Sequence, residues 1–221
     1  MDELDQAFLL GHSVYLRQPK EDDVRNGAWA RWYNDQDTTR YNSHGIFPIS
    51  VDQEWEYVCD VLEDRSKLML AIVESASHRL VGNICIQNID FVNRSCRLAI
   101  MMGERSTMTA GIEAFGLMTE HAFRRLNLNR VADATHSNLK IFLRAISLFG
   151  YLPEGVGRQH YQRDGVAADC IYFGCLKDDF FEEVSKRKGH CLFADLESLQ
   201  SAVLERSKLN LAVPAPLPED V

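Results

Sequence analysis

The 221-residue sequence predicts an α/β protein with one mixed sheet flanked by helices, on three observations. Strand-patterned and helix-patterned segments alternate along the chain, the order found in layered α/β folds. Three strand-like segments at 68–73, 80–87 and 95–102 follow one another without a helix. They read as a meander, so the sheet cannot be purely parallel. Gly103 and Gly111, the glycines near a strand end, form neither GxGxxG nor GxxxxGK(S/T), which excludes a simple doubly wound dinucleotide-binding sheet.

Each element has a local reason. Residues 12–18 alternate imperfectly as a first strand that Pro19 ends. Residues 20–33 read as a helix with an acidic first turn, carrying Trp29, Trp32 and Tyr33. A loop, NSHGIFP, spans 42–48. Ser50 and Gln53 then make a capping box for a helix over 50–62, with Trp55, Val58, Cys59 and Leu62 on one face. The three tryptophans are assigned to helix packing. Polar turns at 74–79 and 90–94 separate the meander strands. Residues 103–109 are too polar to continue the last of them.

Helical spacing returns over 111–126, with Phe115, Met118, Ala122 and Phe123 on one face. A short strand at 130–135 and a helix at 138–149 follow, stopped by Gly150 and Tyr151. A turn is expected at 153–157, then strands at 159–163 and 168–176 joined by Asp164 and Gly165, a strong hairpin pair. Residues 185–208 read as a weak helical appendage, and the last dozen, rich in proline, as a flexible tail. The expected division is a domain over 1–182 and an appendage over 183–221.

Composition bounds the function. A hydrophobic fraction of 46% with 25% charged residues belongs to a globular chain. Acidic residues outnumber basic ones 32 to 24, a net charge of −8. Nucleic acid is therefore a poor partner, because binding it needs a basic face. No signal peptide and no apolar run near eighteen residues is present, so a cytoplasmic, membrane-free protein is expected. Six cysteines without a CxxC pair or repeated spacing predict structural thiols, with no metal site.

Two stretches carry a family resemblance: NRSCRLAIMMGE at 93–104 and GIEAFGLMTEHAFRRLNLNRV at 111–131. Asn138, LFGYLPEG at 148–155, Arg158 and GVAADCIYFG at 165–174 add to them in order. Over residues 13–182 the chain resembles the Gcn5-related N-acetyltransferases. The nearest subgroup looks like the bacterial enzymes that acetylate ribosomal-protein amino termini, polyamines and nucleotide-linked amino sugars.

The resemblance implies a centrally splayed sheet of the acyl-CoA N-acyltransferase type. It also implies acetyl-CoA, or another short acyl-CoA, as cofactor. The strand at Ile100, Met101 and Met102 would expose its backbone to the pantetheine arm. Arg105, Ser106, Thr107, Met108, Thr109, Ala110, Gly111 and Ile112 would surround the pyrophosphate, since a helix start offers unpaired N–H groups and a positive dipole end. The family loop resembles RGxGxG, and only Gly111 of its glycines is kept. Glu113 would then face solvent or Arg105. Asn138 would orient the pantetheine or cap the next helix, and Phe142 would line the cofactor side.

The family often has a glutamate at the position of Arg97 and a tyrosine near Ile146; both are missing here. An amine must lose a proton to attack a thioester, so another base is needed. His136, Asp90 and Asn93 are the candidates. Arg97 would pair with an acidic substrate or sit on a solvated strand face. Tyr33 and His44 are read as substrate contacts, and Arg158 with Asp169 as an ion pair shaping the cleft. The expected reaction is acetyl transfer to a primary amine, on a small molecule (a nucleotide-linked amino sugar by narrow preference) or a protein amino terminus. An inactive acyl-CoA-binding domain is the alternative. A homodimer is among the assemblies the sequence allows.

Overall fold

The computed structural model describes residues 3–107 and 109–209. Met108, expected in the phosphate loop, and the proline-rich tail at 210–221 lie outside the described residues.

The first half of the chain supplies β1 (Leu9–Leu10), β2 (Val14–Arg17), α1 (Glu21–Arg25), α2 (Trp29–Asn34), α3 (Gln36–Thr39) and α4 (Val51–Glu63). The meander follows as β3 (Leu68–Glu74), β4 (Leu80–Asp90) and β5 (Ser95–Met102). Then come α5 (Ala110–Arg124), β6 (Arg130–His136), α6 (Lys140–Ile146), β7 (Leu152–Arg163) and β8 (Val166–Leu176). Two helices, α7 (Lys177–Lys186) and α8 (Leu196–Ser207), close the described chain. The strands form one sheet in the order β1-β2-β3-β4-β5-β6-β8-β7. Every neighbouring pair is antiparallel except β5 with β6.

Both faces of the sheet are covered, which explains why its central strands are nearly all apolar. Leu70, Ile72, Ile84, Ile86 and Leu98 face α5–α8, in a core with Phe115, Phe123, Phe149 and Phe180. The alternate residues Met69, Ala71, Val73, Cys85 and Met101 face the first helices, against Trp29, Trp32, Tyr33, Val58 and Val61. Trp29 and Trp32 stack at 6.1 Å and Trp55 packs at the margin, so all three serve packing.

Several local signals act as read. Ser50 Oγ accepts the Gln53 N–H at 3.2 Å and Gln53 Oε1 accepts the Ser50 N–H at 2.9 Å, closing the capping box of α4. Asp164 and Gly165 both have positive φ, 51° and 78°, as a two-residue type I′ hairpin requires. Other expectations are corrected. The helix expected over 20–33 is broken between α1 and α2, where the Gly27 N–H bonds back to the Asp22 carbonyl and ends the first turn pair. The turn expected at 153–157 is extended chain within β7. The appendage is two helices, and α7 begins before residue 183. Val184, Cys191, Leu199 and Val203 lie in the main core, so these helices are packed on the sheet domain.

Candidate active site

Parallel strands need an even ladder of slanted hydrogen bonds. β5 and β6 share only three register pairs: Ser95–Arg130, Cys96–Val131 and Arg97–Ala132. Beyond Arg97 they part, while β5 stays paired to β4 as far as Met102 and β6 stays paired to β8 as far as His136. The facing edges of residues 98–102 and 133–136 therefore carry backbone donors and acceptors with no ladder partner, groups that need partners when covered.

The opening is a cavity of about 390 Å³ walled by Ala99, Ile100, Asp133, Thr135, Phe142 and Tyr161, with Tyr41, Asn42 and Ser43 at one side. A second cavity of about 330 Å³ continues from it along the start of α5, lined by Ser106, Thr107, Gly111, Ile112, Ala145 and Val203. Ile100, Met102 and Phe142 line both, so the two make one groove. Phe142 is held edge-on by Phe115 at 5.3 Å.

The groove fits an acyl-CoA. Its strand end offers a free backbone edge to an amide-bearing arm, and its helix end offers the first turn of the fifteen-residue α5 to phosphates. Gly111 keeps α5 close to β5: a Cβ there would stand 3.3 Å from Met102 Cγ and Sδ. Arg105 is exposed beside this end, and its guanidinium has no carboxylate partner among the described residues. Other expected contacts are changed. Ser106 Oγ donates to Glu74 Oε1 at 3.0 Å. Thr109 and Ala110 are fully buried, so their side chains do not face a ligand, and Thr109 Oγ1 has no hydrogen-bond partner.

Glu113 faces neither solvent nor Arg105. It is fully buried and turned toward the start of the chain. Its Oε2 accepts the Ser13 N–H at 2.8 Å and the Ser13 hydroxyl at 2.5 Å, and Oε1 accepts the His12 N–H. The carboxylate thus ties the first turn of α5 to the lead-in of β2 and leaves the phosphate side free of its charge.

Where the strands part sits a group the sequence reading missed. Asp133 has a 9% exposed side chain and lines the larger cavity. Its Oδ1 takes Arg97 Nη2 at 2.5 Å, Arg97 Nε at 3.2 Å and the Ala134 N–H at 2.8 Å. All three bonds fall on one oxygen, and Oδ2 accepts none among the described residues. Arg97 accordingly pairs across the strands with Asp133 instead of awaiting an acidic substrate. A signal existed: a lone carboxylate inside the short apolar strand RVADATH, opposite an arginine.

The proposed bases are placed elsewhere or occupied. Asp90 and Asn93 close the β4–β5 turn, where Asp90 Oδ1 accepts the Val92 and Asn93 N–H groups at 2.8 Å and Oδ2 accepts Asn93 Nδ2 at 2.6 Å. Those bonds hold the Asp90 carboxyl below its usual range. The turn is at the closed end of β5, about 17 Å from Ile100 at roughly 3.3 Å per residue. His136 is closer but does not itself line the cavity. Its Nδ1 accepts the Asn138 N–H at 3.1 Å, which puts the proton of the neutral ring on Nε2, and its ring lies between Tyr41 and Tyr161. Burial lowers its pKa.

Asn138 does not cap α6, which starts two residues later. Its exposed side chain, next to the cavity residue Leu139, makes no hydrogen bond among the described residues. Arg158 and Asp169 form no ion pair: Arg158 is exposed, and Asp169 Oδ1 accepts the Gln159 N–H at 2.8 Å across the β7–β8 irregularity. Tyr33 and His44 line a separate cavity on the other side of the 38–47 segment. The Tyr33 hydroxyl bonds Asn83 there, and burial pushes its pKa up.

The comparisons agree with this arrangement. The family model described as the acetyltransferase (GNAT) domain matches residues 13–146, more than half of the chain. The spermidine N-acetyltransferase of Vibrio cholerae, in a structure with CoA and spermine, superposes with a TM-score of 0.68 at 16% identity. That match covers 76% of this chain and 98% of that one. A GCN5-related N-acetyltransferase from Brucella melitensis gives 0.67 at 19% identity, covering 90% and 94%. At such identities the likeness is one of fold. No curated protein sequence matches the chain. No helix among the described residues is long and apolar enough to cross a membrane. With its family domain, its mixed sheet and its parted strands, the chain belongs to the GNAT acetyltransferases, enzymes that move an acetyl group from acetyl-CoA to an amine.

Proposed function

We propose that the groove between β5 and β6 receives acetyl-CoA and that a small-molecule primary amine enters past Tyr41, Asn42 and Ser43. The observation that carries this reading is the unpaired oxygen of Asp133 at the point where the strands part. Acetyl-CoA supplies an acetyl thioester there. The free backbone edge of β5 offers N–H groups to the thioester oxygen as charge gathers on it. Asp133 Oδ2 takes the proton that the amine must lose, directly or through one water. As the C–N bond forms the C–S bond breaks, and the sulfur leaves as thiolate and gains a proton. Arg97 is a positioning residue, fixing the Asp133 carboxylate by two bonds to its other oxygen. Asn138 is free to bond the pantetheine arm.

Among amines, a nucleotide-linked amino sugar suits the mouth. Arg40 is exposed with no carboxylate partner among the described residues and lies over the ring of the cavity residue Tyr41 at 4.7 Å, and Tyr161 lines the same cavity. A polyamine is the second reading, favoured by the carboxylate at the cavity and by the name of the Vibrio cholerae neighbour. The test is an acceptor screen that follows release of free thiol from acetyl-CoA. Amino-sugar nucleotides are expected to give turnover, and Arg40→Ala to raise their KM by about tenfold, the loss of one charge-assisted contact. Turnover with spermidine or an amino-terminal peptide and none with amino-sugar nucleotides would reject this acceptor.

A further inference from the structure

A further cavity, of about 820 Å³, lies between α5, the lead-in of β2 and the connection from α7 to α8. It shares no lining residue with the acetyl groove. Of its walls only Leu117 and Glu120 fall within residues 13–146, and most of the rest is the stretch 186–194. His12 fixes that stretch to the lead-in of β2, its Nε2–H donating to the Phe193 carbonyl at 2.8 Å.

The charge in the wall is unbalanced. Lys186 is matched by Glu182 and Glu183 at 3.3 and 2.8 Å, and Glu120 by Arg124 at 2.8 Å. Arg187 and Lys188 have no carboxylate partner among the described residues. Neutral groups hold Arg187 instead. Its Nη1 donates to the Leu148 carbonyl at 2.9 Å and its Nε to that of Cys191 at 3.1 Å. The guanidinium lies over the Phe149 and Phe193 rings at 5.6 and 4.9 Å. Its buried Nη2 has no acceptor among the described residues, whereas buried donors normally have one. Burial lowers the pKa of this arginine, yet a guanidinium stays charged at neutral pH.

Beside these cations the wall is apolar, with Leu10, Leu117, Leu192 and Phe193. Leu10 is 62% exposed, surface that an alkyl chain would cover. The volume falls within the about 300–1,000 Å³ usual for small-molecule sites and exceeds what a bare anion fills. Glu120 in the wall favours a singly charged head over a phosphate dianion, because like charges repel.

We infer that this cavity binds an alkyl carboxylate, its head facing Arg187 and Lys188 and its chain along Leu10, Leu192 and Phe193, at a site separate from the acetyl groove. The inference does not depend on which amine the enzyme acetylates. Three features together carry it: two cations without carboxylates, a buried donor without an acceptor and apolar walls around them.

The test is a calorimetric titration of the full chain with sodium octanoate, with 1-octanol as neutral control. Saturable binding of the carboxylate and not of the alcohol is expected, with saturating acetyl-CoA present or absent. Inorganic phosphate should not displace it. Arg187→Met keeps the apolar stem and should weaken binding at least about tenfold. Lys188→Gly should weaken it about threefold and leaves the fold intact, since Lys188 has a φ of 56° that glycine adopts freely. Unchanged affinity in either variant, equal affinity for octanol, displacement by acetyl-CoA or by phosphate, or no binding at all would each overturn the inference.

Discussion

Asp133→Asn is expected to lower kcat by about 100-fold, the size of a lost general base. The amide keeps the shape of the carboxylate and an oxygen for the Ala134 N–H and for Arg97. It cannot take a proton. On the proposed placement acetyl-CoA touches the site mainly through backbone groups and the α5 start, so its KM should stay within about twofold, as for a contact made chiefly in the transition state. An unchanged acetyl-CoA KM beside the fallen kcat separates chemistry from structure. Steady-state kinetics checks this, and a kcat within about threefold of the wild type would remove Asp133 from the proton path.

Glu113→Ala is expected to cost about 3 kcal/mol of stability, because two N–H groups and one hydroxyl lose their acceptor inside the protein. For a chain of this size that is a fall of roughly 10 °C in Tm. The carboxylate bonds residues 12 and 13 to the first turn of α5 across a hundred positions of sequence. Acetyl-CoA binding should therefore weaken as well, since the helix start proposed to receive the phosphates loses its tie. Thermal unfolding with and without acetyl-CoA measures both effects. An unchanged Tm would mean that the tie adds nothing to the fold.

The two predictions rest on residues that differ in how readable they were. The fold was legible because its signals are local. The strand-like run at 95–102, the Ser50–Gln53 box and the Asp164–Gly165 pair each act within a few residues. The groove was legible as an ordered set: apolar strand, polar loop, helix, strand, asparagine and helix. What escaped is non-local. Asp133 gains its importance from the strands parting after Arg97–Ala132, and pairing registers are set by the whole sheet. Glu113 appeared to threaten the phosphate site because its true partners are a hundred residues away. Asp90, Asn93 and His136 were chosen for chemical type, yet local hydrogen bonds already use the acceptors of Asp90 and His136, and Asn93 donates to Asp90. Of the family loop's glycines only Gly111 is kept, and its missing side chain lets α5 lie close to β5.

The central claim is that acetyl-CoA lies between β5 and β6 with its phosphates at the start of α5. A crystal structure of the chain with acetyl-CoA tests it most directly. The thioester is expected between Ile100 and Ala134, within reach of Asp133, with the pyrophosphate on the N–H groups near Gly111. Acetyl-CoA bound elsewhere, or strands closed along residues 98–102 and 133–136, would contradict it.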